Sequence, residues 1–328
     1  VETGVVESGV VGSTAGLLGG FAARHAVGRA SYPARVIVTP ALLLQSIEPE
    51  ARDGLLQLAF LAPFAIFGGI LAWRVARTLP AEPAGRLPRD PAIGALGMLG
   101  YLFAGALGAA LAASLSAPLG VEDEQFARLF RGVAGNLLQV ALVVALISSK
   151  AFVDAPRAAG SRGRALLEGV AAFVIAVPAV AFLGLAVQWL LPILGLPTAP
   201  ETSHETLVLL REKGDALFTA LTLAHVAVLV PLAEEAAWRG LMQPAIRRAG
   251  VPALAACATT AVLFAGIHWS VLAPEGRAVG LTMLVTLGFA LGLLRERTGG
   301  ILAPVLVHAL FNAANVAMTL GSPGAPPR

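Results

Sequence analysis

The sequence predicts an all-α fold, a polytopic transmembrane helix bundle of about eight spans. Three observations carry this. The chain of 328 residues is 57% hydrophobic and 13% charged, about half the charged fraction of an ordinary soluble domain. Apolar runs long enough to cross a bilayer recur along almost its whole length. The alternating segments of roughly ten residues that mark a membrane barrel are not seen.

Residues 1–53 form an N-terminal segment whose stretches "GVVGSTAGLLGGFAA" and "RVIVTPALLLQSI" read as interfacial pieces or an extra span. No basic region precedes them as in a cleavable signal. Spans are then expected near 54–73, 92–115, 132–149 and 165–192, making 54–200 an N-terminal group. A second group, 201–320, holds spans near 216–246, 251–273, 278–294 and 299–320. The Arg- and Pro-rich 74–90 and the basic 150–164 read as loops. The polar stretch 194–214 allows a short amphipathic helix at "ETLVLLREKG", and the tail 321–328 is disordered by composition.

Lysine and arginine set orientation. Arg74, Arg77, Arg86 and Arg89 follow the first span, and Lys150, Arg157, Arg162 and Arg164 the third. Arg247 and Arg248 follow the fifth, Arg295 and Arg297 the seventh. The intervening loops are poorer in basic residues, so the loops after the first, third, fifth and seventh spans are expected on the cytoplasmic side of an integral membrane protein, in a bacterial cytoplasmic membrane. A net charge of +3 with scattered arginines fits topology and not nucleic-acid binding. The single Cys257 rules out an intramolecular disulfide and a multi-cysteine metal site.

Ionisable residues inside spans are costly unless paired or hydrated, and so mark candidate functional sites. "PLAEEAAWRG" places Glu234, Glu235 and Arg239 after an apolar run. Glu235 and Arg239 are i,i+4 neighbours able to pair, which leaves Glu234 without a local cation. The alternative is a helix that ends at residue 233, with all three at the interface. "FAGIH" sets Phe264 and His268 one helical turn apart, and "HALFN" puts His308 and Asn312 on one face of the last span. Each His could equally be a packing or interhelical hydrogen-bonding residue. His225, nine residues before Glu234, faces roughly away from it. His25 and His204 lie outside the expected spans. A rise of about 1.5 Å per residue brings Glu234, His268, His308 and Asn312 to one depth if the fifth span continues to about residue 246.

Together, "EEAAWRG", "FAGIH" and "HALFN" resemble the EExxxR, FxxxH and HxxxN motifs of the CAAX protease and bacteriocin-processing (CPBP, Abi) family of intramembrane endopeptidases. The resemblance covers about 220–320, with Trp238 where Phe is common. It implies an intramembrane glutamic endopeptidase. Glu234 with His268 would activate water, and His308 and Asn312 would polarise the scissile carbonyl and stabilise the oxyanion. Glu235 and Arg239 would support the site. A peptide or protein substrate is implied, such as a lipidated or membrane-anchored tail beside the lipid bilayer. No cofactor is expected; the alternative is Zn²⁺ on Glu234, His268 and His308, although no HExxH is present. The rival reading is a non-proteolytic immunity factor, scaffold or transporter. A transporter would show related halves, and no internal repeat is visible.

Overall fold

The computed structural model describes residues 49–197 and 216–321. Among these residues eight helices follow one another: α1 Pro49–Arg77, α2 Pro91–Ser116, α3 Glu124–Ser148, α4 Arg162–Ile193, α5 Ala216–Arg248, α6 Ala253–Gly266, α7 Arg277–Thr298 and α8 Leu302–Gly321. Helices α1 to α5 and α7 are long and apolar enough to cross a membrane; α6 and α8 are shorter apolar helices. The expectations for 1–48, for the short helix at 205–214 and for the tail beyond 321 lie outside the described residues.

Helix starts follow capping chemistry. Asp90 accepts from the Ala92 N–H with Pro91 as the first helical residue of α2, and Ser161 accepts from the Arg164 N–H at the start of α4. Asp123 accepts from the N–H groups of Gln125 and Phe126, so α3 begins at Glu124 and not near 132 as its apolar run suggested. The first loop is also more ordered than its Arg/Pro composition implied. Strand β1, Arg86–Pro88, pairs antiparallel with β2, Phe152–Asp154, Arg86 opposite Asp154.

The four arginine-rich loops meet at one end of the bundle. Arg247 donates to the carbonyls of Ala81 at 2.6 Å and Val251 at 2.8 Å, and Arg295 to those of Ala84 at 3.1 Å and Arg239 at 3.0 Å. Arg157 donates to the carbonyls of Glu296 and Arg297. Arg247 and Arg295 are buried, so part of what the sequence offered as a topology signal closes otherwise unpaired backbone carbonyls. Gln243 adds a link from α5 to α7, donating to the Gly292 carbonyl at 3.0 Å and to Glu296 at 2.9 Å.

Two buried apolar clusters set the positions of the helices around the site. One gathers Met98, Tyr101, Val143, Trp238, Leu241 and Phe264 around α5. The other joins α4, α7 and α8 through Val180, Leu287, Leu291 and Val307. Helices α6 and α7 approach so closely that a Cβ on Gly288 would lie 3.2 Å from the Ala261 Cα, and one on Gly292 would lie 3.2 Å from the Cys257 Cα. Small residues four apart permit this backbone contact. Cys257 is fully buried in the seam and acts as a small packing residue.

Candidate active site

Helix α5 is continuous from Ala216 to Arg248, which removes the alternative in which it stops at residue 233. It is not uniform. Glu234 and Glu235 end a short α-helical piece, Val230–Glu235, between two π-helical segments, His225–Leu229 and Ala236–Met242. Such wide turns often occur at functional sites. The first also fixes Asn312. In the π register the Val230 N–H reaches the His225 carbonyl, so the Val226 carbonyl would be served by residue 231. That residue is Pro231, which has no N–H. The side-chain amide of Asn312 on α8 donates to the Val226 carbonyl instead, at 2.9 Å.

Glu235 and Arg239 are both fully buried and pair at 3.0 Å. Arg239 also donates to the Gly288 carbonyl at 2.9 Å and lies over the Phe264 ring, 5.0 Å from its centroid. The same Glu235 oxygen that meets Arg239 accepts from His308 Nδ1 at 2.9 Å. Sequence spacing paired Glu235 with Arg239 and gave no sign of this second partner, which is 73 residues away.

Glu234 is turned the other way, into a partly open space. His268 Nε2 lies 3.8 Å from one of its oxygens and His308 Nε2 lies 3.8 Å from the other. Both distances exceed a hydrogen bond. His268 itself stands past the end of α6. The sequence expected that span to run to 273, but the helix stops at Gly266. The cause is local: the His268 backbone N–H bonds to the Ala265 carbonyl, while its ring Nδ1 takes the Phe264 carbonyl at 2.7 Å. The ring has replaced the backbone donor that would have continued the helix.

These contacts fix the tautomers. A carbonyl and an ionised carboxylate only accept, so both imidazoles carry a proton on Nδ1. Each ring therefore turns its Nε2 toward Glu234. Phe264, fully buried, packs both rings. Its centroid is 4.9 Å from His268 and 5.9 Å from His308, in edge-to-face geometry, and 6.0 Å from Trp238. The sequence singled out Phe264 only by its spacing; in the structure both its ring and its carbonyl position the site. Tyr101 on α2 gave no signal in the sequence. It is buried with Ala233, Ala236 and Ala237 and lies within electrostatic reach of Glu234 and Glu235.

Glu234, His268 and His308 thus come together, with Glu235 and Arg239 directly behind His308. Asn312 is one turn beyond His308 on α8, anchored on Val226. His225 belongs to a different network: its Nε2 bonds to Asn136 at 2.8 Å, Asn136 bonds to Gln139, and Gln139 donates to the Tyr101 carbonyl. His25 and His204 lie outside the described residues. Two imidazole nitrogens and a carboxylate are a zinc-type donor set, but among the described residues no three His, Cys, Asp or Glu side chains are placed to hold a metal ion. A cavity of about 700 Å³ between the N-terminal parts of α3 and α5 reaches His225 and Leu229, and Leu229 is within two turns of Glu234.

Residues 216–314 match the family model described as type II CAAX prenyl endopeptidase Rce1-like. The matched segment runs from the start of α5 to just past Asn312 and includes every residue of the three motifs. No curated protein and no solved structure matches the chain. Over residues 216–314 the chain is thus similar to the Rce1-like type II CAAX prenyl endopeptidases, and its long apolar helices are those of an integral membrane protein.

Proposed function

We propose that the chain is a glutamic endopeptidase that hydrolyses a peptide bond of a membrane-anchored substrate, such as a lipidated tail, without a metal. The observation that carries this is Glu234 flanked at 3.8 Å by two imidazole nitrogens whose far sides are tied down. The gap holds a water molecule that donates to Glu234 and to His268 Nε2. Glu234 takes a proton as the water oxygen bonds to the scissile carbonyl carbon. The negative charge that develops on the carbonyl oxygen faces His308 and Asn312. His308 can donate there only when Nε2 is protonated, and Glu235 on Nδ1 then supplies the counter-charge. The C–N bond breaks as the proton on Glu234 passes to the leaving nitrogen. The cavity between α3 and α5 gives the substrate access, and the arginine-rich end faces the cytoplasm of a bacterial cell.

The test is cleavage of synthetic tail peptides, lipidated and not, by the purified chain in detergent, with products identified by mass and Glu234→Ala as control. Absence of cleavage across the peptide set, or equal cleavage by the control, overturns the reading. Chelators should leave the rate unchanged, and metal analysis of the active protein should find no stoichiometric zinc. Loss of activity on chelation, restored by Zn²⁺, would establish the metal-dependent mechanism instead. Asn312→Ala should lower kcat by about 10²–10³ with little change in KM, as expected for an oxyanion donor. An effect confined to KM would make Asn312 a substrate-binding residue.

A further inference from the structure

We propose that the groove between α1, α4 and α7 binds an anionic phospholipid, one acyl chain between the helices and the phosphate against Arg297 and Arg164. The groove encloses about 530 Å³ and is lined by these three helices alone. It shares no residue with the site around Glu234. Its walls are almost entirely apolar, small residues such as Ala65, Gly69 and Ala176 alternating with larger ones such as Leu71, Ile175 and Phe289. A Cβ placed on Gly69 would meet nothing within 4 Å, whereas one on Gly68 would lie 3.3 Å from Ile175, so the groove is open at Gly69 and narrows to helix contact at Gly68.

The groove is charged at one end only, where Glu168 and Arg297 line it. Arg297 meets one oxygen of Glu168 at 3.0 Å and Arg164 meets the other at 2.8 Å. One carboxylate between two guanidinium groups leaves net positive charge. Arg164 stands in the first turn of α4 and Arg297 in the last turn of α7, at the arginine-rich end of the bundle. An apolar slot inside the spans, ending in a cationic cluster at their edge, matches an acyl chain followed by a phosphate. A neutral headgroup would leave that charge unanswered.

Native mass spectrometry of the purified full chain with equal amounts of phosphatidylglycerol and phosphatidylcholine, matched in acyl chains, tests this. The chain should retain phosphatidylglycerol over phosphatidylcholine by about fivefold per engaged arginine. Arg297→Gln, which leaves Glu168 paired with Arg164, should lose most of that preference. Gly69→Phe fills the slot and should lose retained lipid of both kinds, while peptide cleavage stays unchanged. Equal retention of the two lipids by the unaltered chain overturns the proposal. So does lipid retention in Gly69→Phe equal to the unaltered chain, or displacement of phosphatidylglycerol by a lipidated peptide, which would assign the slot to substrate.

Discussion

Glu234→Gln is expected to reduce peptide cleavage to the background rate while leaving the protein folded. The substitution keeps the size and shape of the side chain and removes its ability to accept a proton. A general base contributes about 10²–10⁴ to a rate, and here the same carboxylate must also return its proton to the leaving nitrogen. The loss should therefore reach or exceed the upper end of that range. Folding should survive because, among the described residues, Glu234 forms no ion pair with a Lys or Arg, and the two imidazoles stand 3.8 Å from its oxygens. Product mass analysis beside a thermal unfolding curve separates the two effects. Activity within about tenfold of the unaltered chain, at unchanged stability, would remove Glu234 from the chemistry. His268→Gln should follow it in rate, and also lose the helix-ending bond to Phe264.

Much of this site could be read from sequence because helix rise is fixed. Counting residues from Arg247, Arg297 and the loop after His268 places Glu234, His268, His308 and Asn312 at one level; the structure sets the first three around one space and ties the Asn312 amide to the Val226 carbonyl. Facing directions were harder. The reading assumed a regular helix of 3.6 residues per turn, whereas α5 contains two π-helical segments that change which residues share a face. The coupling of Pro231, Val226 and Asn312 follows from that irregularity, and no spacing rule reports it. The early end of α6 was hidden for a different reason: residues 267–273 are largely apolar, and the bond from the His268 ring to the Phe264 carbonyl, which stands in for the helical N–H, carries no periodic signal. The Glu235–His308 contact is tertiary, between segments whose separation carries no periodic signal.

That contact gives the second large expected effect. Arg239→Ala should destabilise the protein by about 3–5 kcal/mol, the usual consequence of leaving one member of a buried ion pair uncompensated. Arg239 joins Glu235, the Gly288 carbonyl and the face of Phe264, so its loss loosens α5 from α7 and from the ring that packs both histidines. Thermal unfolding in detergent, or the yield of folded protein, reads this. A purely structural pair behaves differently from a pair that also orients a catalytic group. Replacing both partners at once, Glu235→Leu with Arg239→Met, removes both buried charges and should recover much of the stability, because an apolar pair of similar volume is often neutral or better in such a setting. Cleavage should not recover with it. His308 Nδ1 would have lost the acceptor it uses at 2.9 Å, and with it the constraint that turns Nε2 toward Glu234. Stability regained without activity would separate the two tasks of Glu235, closing the buried charge and aiming His308. Full recovery of both would show that packing alone orients the ring.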